Sequence, residues 1–175
     1  MARIYISLGS NIEPELHLRN ALGCLQHHFF DIRLSPVYET EAVGFEGDPF
    51  LNLVAECETT LSPEKVQAEL KSIEDNNGRL REGPKFSART LDLDLLLYDA
   101  LDLHSEGMDV PRDEIKKYAF VLKPLCDLVP DLKHPVTGES MRALWEKMAA
   151  DVQPMRVFEV DLLATESSFP DNFTY

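Results

Sequence analysis

Between Leu91 and Tyr98 the chain reads Leu-Asp-Leu-Asp-Leu-Leu-Leu-Tyr. Alternation this strict belongs to a strand whose successive side chains point to opposite faces of a sheet. Leu91, Leu93 and Leu95 fall on one face, while Asp92 and Asp94 fall on the other, with Leu96 and Tyr98 continuing the aspartate row. The leucine face must be covered by other elements. The aspartate face must stay open to water or ions, because burying two like charges without a partner is costly.

Upstream segments supply the cover. Arg3 to Leu8 is a short β-rich run, ending at Gly9-Ser10-Asn11, read here as a turn whose Ser or Asn caps the next helix. In that helix Leu18, Leu22, Leu25 and Phe29 form one apolar stripe, and Pro14 is tolerated in the first turn. Asp31 to Tyr38 reads as a second strand, with Pro36 marking an edge or bulge. A loop from Thr40 to Asp48 leads to a third strand, Phe50 to Thr59. There Leu51, Leu53, Ala55 and Cys57 take the core face and Asn52, Val54, Glu56 and Glu58 the other. Ser62-Pro63-Glu64 opens a second helix with the stripe Val66, Leu70 and Ile73, and Gly78 stops it.

Strand, helix, strand, strand, helix, strand is the split βαβ order. The expected class is α+β: a ferredoxin-like antiparallel sheet with helices packed on one face and a C-terminal extension. The other face is then the natural floor of a site bearing Asn52, Asp92 and Asp94. The extension carries Val110-Pro111, an apolar run Ala119 to Leu125, a turn His134 to Gly138, a helix Ser140 to Ala149 and one more strand, Met155 to Leu162. Residues 1–163 are expected to form one domain, and 164–175 a loosely held tail.

A formal net charge of -14 argues against nucleic acid or an anionic membrane as partner. No window approaches the ~20 apolar residues of a membrane span. Cys24, Cys57 and Cys126 are odd in number and set among apolar residues, as in a reduced, cytoplasmic protein. The immediate start of a strand leaves no room for a signal peptide. Against the acidic background, Arg79, Arg81, Lys85 and Arg89 place four of the 17 basic residues in one short stretch. Carboxylates able to hold a divalent metal, next to such a cluster, suit a polyphosphate. There is no Walker loop.

Arg89-Thr90-Leu91-Asp92-Leu93-Asp94-Leu95-Leu96-Leu97-Tyr98 resembles the hallmark of the 6-hydroxymethyl-7,8-dihydropterin pyrophosphokinase family. The likeness runs over about residues 3 to 160 and includes Leu8-Gly9-Ser10-Asn11, Phe50-Leu51-Asn52, Gly78-Arg79-Leu80-Arg81, Val110-Pro111 and Phe120-Val121-Leu122-Lys123-Pro124-Leu125. It implies Mg²⁺-dependent transfer of pyrophosphate from ATP to the hydroxymethyl group of the pterin, with AMP leaving. Asp92 and Asp94 would hold two Mg²⁺ ions. Thr40, Val43, Phe50, Asn52 and Phe120 would bind the pterin. Glu74, Arg81, Lys85, Phe86, Arg89 and Arg112 would bind ATP, with Arg81 and Arg89 also counted as catalytic. A cytoplasmic monomer is expected, with ATP and a hydroxymethyl-dihydropterin as its partners.

The departures from the family pattern lie on the ATP side. Phe86 stands where Trp is usual, Ser87-Ala88 where Gly-Pro is usual, and Arg112-Asp113 where His-Tyr is usual. A pterin-binding paralogue with altered or lost ATP use is therefore the alternative.

Overall fold

The structure, a computed structural model, describes residues 1–41, 47–78, 91–149, 152 and 154–163. In chain order its elements are β1 (Ala2–Ser10), α1 (Pro14–His28), β2 (Phe30–Leu34), β3 (Tyr38–Thr40), β4 (Phe50–Thr59), α2 (Pro63–Asn76) and β5 (Asp92–Tyr98). Then come α3 (Glu114–Lys117), α4 (Ala119–Leu128), α5 (Met141–Met148) and β6 (Met155–Val157).

The strands make one antiparallel sheet in the order β5-β1-β4-β3-β6, with β2 also paired to β4. The expected α+β class and split βαβ topology are what is seen. β2 and β3 are two pieces of one hairpin arm, interrupted at Ser35-Pro36-Val37. Pro36 lacks a donor, and Ser35 makes up the pairing: its N–H donates to Val54 O and its Oγ accepts from Val54 N–H, both at 2.9 Å.

The first face of the sheet is closed by α1 and α2. Leu18, Leu22, Leu25 and Phe29 of the α1 stripe, and Val66, Leu70 and Ile73 of the α2 stripe, join Ile4, Ile6, Leu8, Leu51, Leu53, Ala55, Leu91, Leu93 and Leu95 in one core. α2 begins as its sequence requires, with Ser62 Oγ accepting from Lys65 N–H at 3.3 Å and Pro63 in the first turn. α1 does not begin as expected. Gly9 and Ser10 are not a turn but the last two residues of β1, paired to Asn52 and Leu51 of β4. The helix N-cap is Glu13, in the left-handed region at φ 42°, without a side-chain cap. Ser10 Oγ instead donates to Ile12 O, and Asn11 Nδ2 to Asp48 O.

The second face is not open along its whole length, because the C-terminal extension is a second layer. Tyr5, Val54, Leu96 and Leu97 pack there against Ile115, Val121, Leu122, Leu125, Met141 and Leu144. One irregularity in β5 makes this possible. Ile6 pairs with Leu95 and Tyr5 with Leu97, so Leu96 is an extra residue, a β-bulge. Leu96 and Leu97 both enter the second core, and Tyr98 is turned to the first, where its hydroxyl donates to Leu61 O at 2.7 Å. Tyr98 thus does not continue the aspartate row, as simple alternation implied.

The α4–α5 connection is pinned by His134, which is 2% exposed. Its Nδ1 accepts from the N–H groups of Val136 and Thr137, so the proton sits on Nε2. Burial, followed by the nearby Lys116 charge, lowers its pKa below 6.5. His104 is the opposite case: Asp102 on Nδ1 and Asp109 on Nε2 raise it. The two imidazoles are expected to titrate on opposite sides of 6.5 in a ¹⁵N NMR pH series. His134 stabilises the fold above its unfolded pKa, and that contribution falls away as pH drops through the lower folded value. The His104 contribution is present below its unfolded pKa and is lost as pH rises through the higher folded one. Matching titrations of the two rings would contradict at least one assignment, the side of 6.5 saying which.

Burial pushes the Cys57 thiol up to about 12, and Cys24 and Cys126 are also free and raised. Among the described residues no helix is long and apolar enough to cross a membrane.

Candidate active site

The part of the second face that α4 and α5 leave uncovered is polar by strand parity. Phe50 and Asn52 on β4 point the same way as Val54, and Asp92 and Asp94 on β5 the same way as Leu96. Register aligns them. Gly9 pairs with Asn52 on one side and with Asp92 on the other, and Asn52 pairs with Tyr38. The row Asp92–Gly9–Asn52–Tyr38 therefore crosses the sheet at right angles to its strands. At ~4.8 Å per strand, the Asp92 and Asn52 backbones lie about 10 Å apart, with Gly9 between them. In the next row Asp94 pairs with Ser7, and Ser7 with Val54.

Asn52 is 6% exposed, and its amide Nδ2 donates to Thr40 Oγ1 at 3.0 Å. A buried amide held this way by one hydroxyl is oriented, and an oriented amide can read the donor and acceptor pattern of a heterocycle edge. Gly9 is what makes room for it: a Cβ built there would lie 2.8 Å from Asn52 Oδ1. The glycine was expected to serve a turn, but its role is to leave a side-chain gap between amide and carboxylates. A Gly inside a β-run is the sequence signal for such a close approach. Gly9→Ala is expected to push Asn52 aside and weaken binding in the amide pocket by about 1 kcal/mol, the low end of overpacking costs. Calorimetry with a pterin checks this, and an unchanged affinity would remove Gly9 from the site.

Phe120 lies in the first turn of α4, on the Asn52 side of the sheet, with Tyr118 stacked on it at 5.0 Å between centroids and 14° between planes. One ring face is thus occupied by Tyr118, a contact with no signal in the sequence pattern. Tyr38, opposite Asn52, donates its hydroxyl to Asp127 of α4, whose other oxygen takes Lys123 Nζ at 2.7 Å. These contacts tie β3 to α4 beneath the pocket.

Asp92 and Asp94 are half-buried. Arg112 reaches Asp94 Oδ1 at 3.5 Å and Glu114 Oε1 at 3.1 Å. Its backbone N–H donates to Leu96 O at 3.0 Å, which fixes the Val110–Asp113 segment against β5. Burial lowers the Arg112 pKa, but Asp94 and Glu114 more than offset it and the guanidinium is held charged. Two hard carboxylates two residues apart on an accessible strand face are an oxygen donor set suited to Mg²⁺. That a cation already stands against Asp94 fits the same demand for positive charge.

Glu74 is placed elsewhere. It is 5% exposed near the C-terminal end of α2, in the layer that covers the opposite face of the sheet. Val43, Arg81, Lys85, Phe86 and Arg89 lie outside the described residues, as do Arg79, Ser87, Ala88 and the tail from 164. Thr40, Phe50, Asn52, Asp92, Asp94, Arg112 and Phe120 all belong to the second-face side of the sheet.

A carboxylate pair and an oriented amide on one sheet face, beside a basic segment in the sequence, are the parts of a phosphate-handling transferase. Comparison with known proteins agrees. The family described as 7,8-dihydro-6-hydroxymethylpterin-pyrophosphokinase (HPPK) matches residues 5–130. The 2-amino-4-hydroxy-6-hydroxymethyldihydropteridine pyrophosphokinase of Bacillus subtilis is 34% identical over 156 residues, covering 84% of this chain and 93% of the relative. The folic acid synthesis protein fol1 of Pneumocystis carinii is 35% identical over 162 residues, covering 89% of this chain but only 21% of the relative. This chain thus spans about a fifth of that longer protein. In fold, it resembles a crystal structure of Plasmodium falciparum HPPK-DHPS wild type with SDX-DHP, with TM-score 0.66 at 15% identity over 86% of this chain and 44% of that one. The chain belongs to the 7,8-dihydro-6-hydroxymethylpterin-pyrophosphokinase family.

Proposed function

We propose that this chain transfers pyrophosphate from ATP to the hydroxymethyl group of 6-hydroxymethyl-7,8-dihydropterin, releasing AMP, as its family membership implies. The row Asp92–Gly9–Asn52 carries the reading. It sets the Asn52 amide about two strand spacings, ~10 Å, from Asp92, with a glycine at the position between them. A pterin ring held at Asn52 can then extend its hydroxymethyl arm over Gly9 toward the phosphates.

Each residue has a task in this reading. Asn52, steadied by Thr40, orients the pterin edge together with the backbone near Val43. Phe50 borders the ring, and Phe120, backed by Tyr118, covers it. Asp92 and Asp94 would hold two Mg²⁺ ions, whose charge would offset that of the triphosphate and favour loss of the proton from the attacking hydroxyl. Arg81, Lys85 and Arg89 would bind the phosphates and Phe86 the nucleoside, with Arg112 near the metal pair. Such transfer needs positioning and charge neutralisation more than covalent catalysis. We place the protein in the cytoplasm as a monomer, with the small molecules as its partners and neither nucleic acid nor membrane among them.

The test is direct: purified protein with ATP, Mg²⁺ and hydroxymethyl-dihydropterin should form AMP and the pterin pyrophosphate in equal amounts, and chelation should stop it. Arg112 already engaged by Asp94 and Glu114 favours, as the second reading, a paralogue that binds pterin without using ATP. Pterin binding with no AMP formed would select that reading.

A further inference from the structure

We infer that Arg112 is a built-in cation shared between Glu114 and Asp94 in the metal-free enzyme and must give up Asp94 when a divalent ion binds, so that metal and nucleotide binding become coupled through one side chain. This rests on the reading of Asp92 and Asp94 as the metal pair. Three observations carry it. Arg112 is anchored by its own backbone to Leu96, two residues beyond Asp94, so its side chain starts beside the carboxylate pair. One nitrogen, Nη2, is divided between Asp94 at 3.5 Å and Glu114 at 3.1 Å, two carboxylates between which it can move by a small rotation. Arg112 Nε is buried and has no hydrogen-bond partner, so the present placement leaves one donor unused.

The electrostatic consequence follows. A divalent ion at Asp94 would face a guanidinium a few ångströms away in a half-buried setting, where like charges are poorly screened. Glu114 offers the retreat: Arg112 can give up Asp94 and keep one carboxylate. The same charge, freed from Asp94 and lying beside the metal pair, is then available to a phosphate oxygen. Arg112 therefore opposes metal binding to the empty enzyme and favours it once a triphosphate is present. The effect is to keep the metal pair unfilled until nucleotide arrives. Arg112 is a positioning residue here, and the readout is binding, not turnover.

Mn²⁺ binding followed by electron paramagnetic resonance, with and without a non-hydrolysable ATP analogue, tests this. In Arg112→Gln, Mn²⁺ should bind the nucleotide-free protein about tenfold more tightly than in wild type, within the usual range of such couplings. The gain in Mn²⁺ affinity on adding the analogue should shrink by a similar factor. Glu114→Gln removes the retreat and should weaken nucleotide-free Mn²⁺ binding, which keeps the test open if the Arg112 variant fails to fold. Asp94→Asn is the control for the site itself. If Asp94→Asn binds Mn²⁺ as wild type does, the metal pair is misassigned. If Asp94→Asn loses Mn²⁺ while the Arg112 and Glu114 variants match wild type, the metal pair stands and the inference about Arg112 is overturned.

Discussion

Asp94→Asn is expected to lower turnover at least about a thousandfold, equivalent to ~4 kcal/mol of lost transition-state stabilisation, and Asp92→Asn to do nearly the same. The size follows from what the pair does in the proposed reaction: without both carboxylates the charge on the triphosphate stays uncompensated at the reacting centre. The fold should survive. Both side chains are half-buried on a polar face, Asn keeps their volume, and Arg112 retains Glu114 at 3.1 Å when Asp94 loses its charge. Steady-state AMP production at saturating Mg²⁺, with circular dichroism as the folding control, is the measurement. Near wild-type turnover in either variant would rule out the two-metal assignment.

Asn52→Ala is expected to weaken pterin binding by roughly 1–3 kcal/mol, or 5- to 150-fold, the cost of leaving buried partners unpaired. Asn52 is nearly inaccessible and holds Thr40 Oγ1, so its removal deprives both the ligand and Thr40 of a partner. ATP binding should change little, because the row places Asn52 two strands from β5. Calorimetry with each ligand separately gives the comparison. Equal losses for pterin and ATP would mean that Asn52 supports the fold and not a pocket.

Period-two alternation made much of this legible in advance. Phe50 to Thr59 alternates cleanly enough to give its bounds and the facing of Leu51 to Glu58, and the same rule puts Asn52, Asp92 and Asp94 on one side. What alternation cannot give is register. That Gly9 stands between Asn52 and Asp92 depends on which residues pair across β1, and the turn-like sequence Gly-Ser-Asn hid the fact that β1 continues through Ser10. The three consecutive leucines 95 to 97 carry no phase, so the bulge is invisible in the sequence and alternation puts Tyr98 on the wrong face. The extension was recognised as apolar, but nothing in Ala119 to Leu125 says which side of a sheet it will cover. Arg112 was marked from sequence, yet its sharing between Asp94 and Glu114 arises from the backbone bond to Leu96.

The bulge at Leu96 has a bearing on how this strand can change length. Counting pairs on either side of it, Leu95 meets Ile6 and Leu97 meets Tyr5, which are neighbours in β1. A chain with Leu96 deleted would therefore regain an unbroken ladder with every other side chain of β5 on the face it now occupies. Leu96 is an insertion that adds one leucine to the α4 layer and shifts nothing upstream. The bulge thus joins the two ends of the strand: its side chain enters the α4 layer, while its carbonyl accepts from the N–H of Arg112, the residue that reaches Asp94.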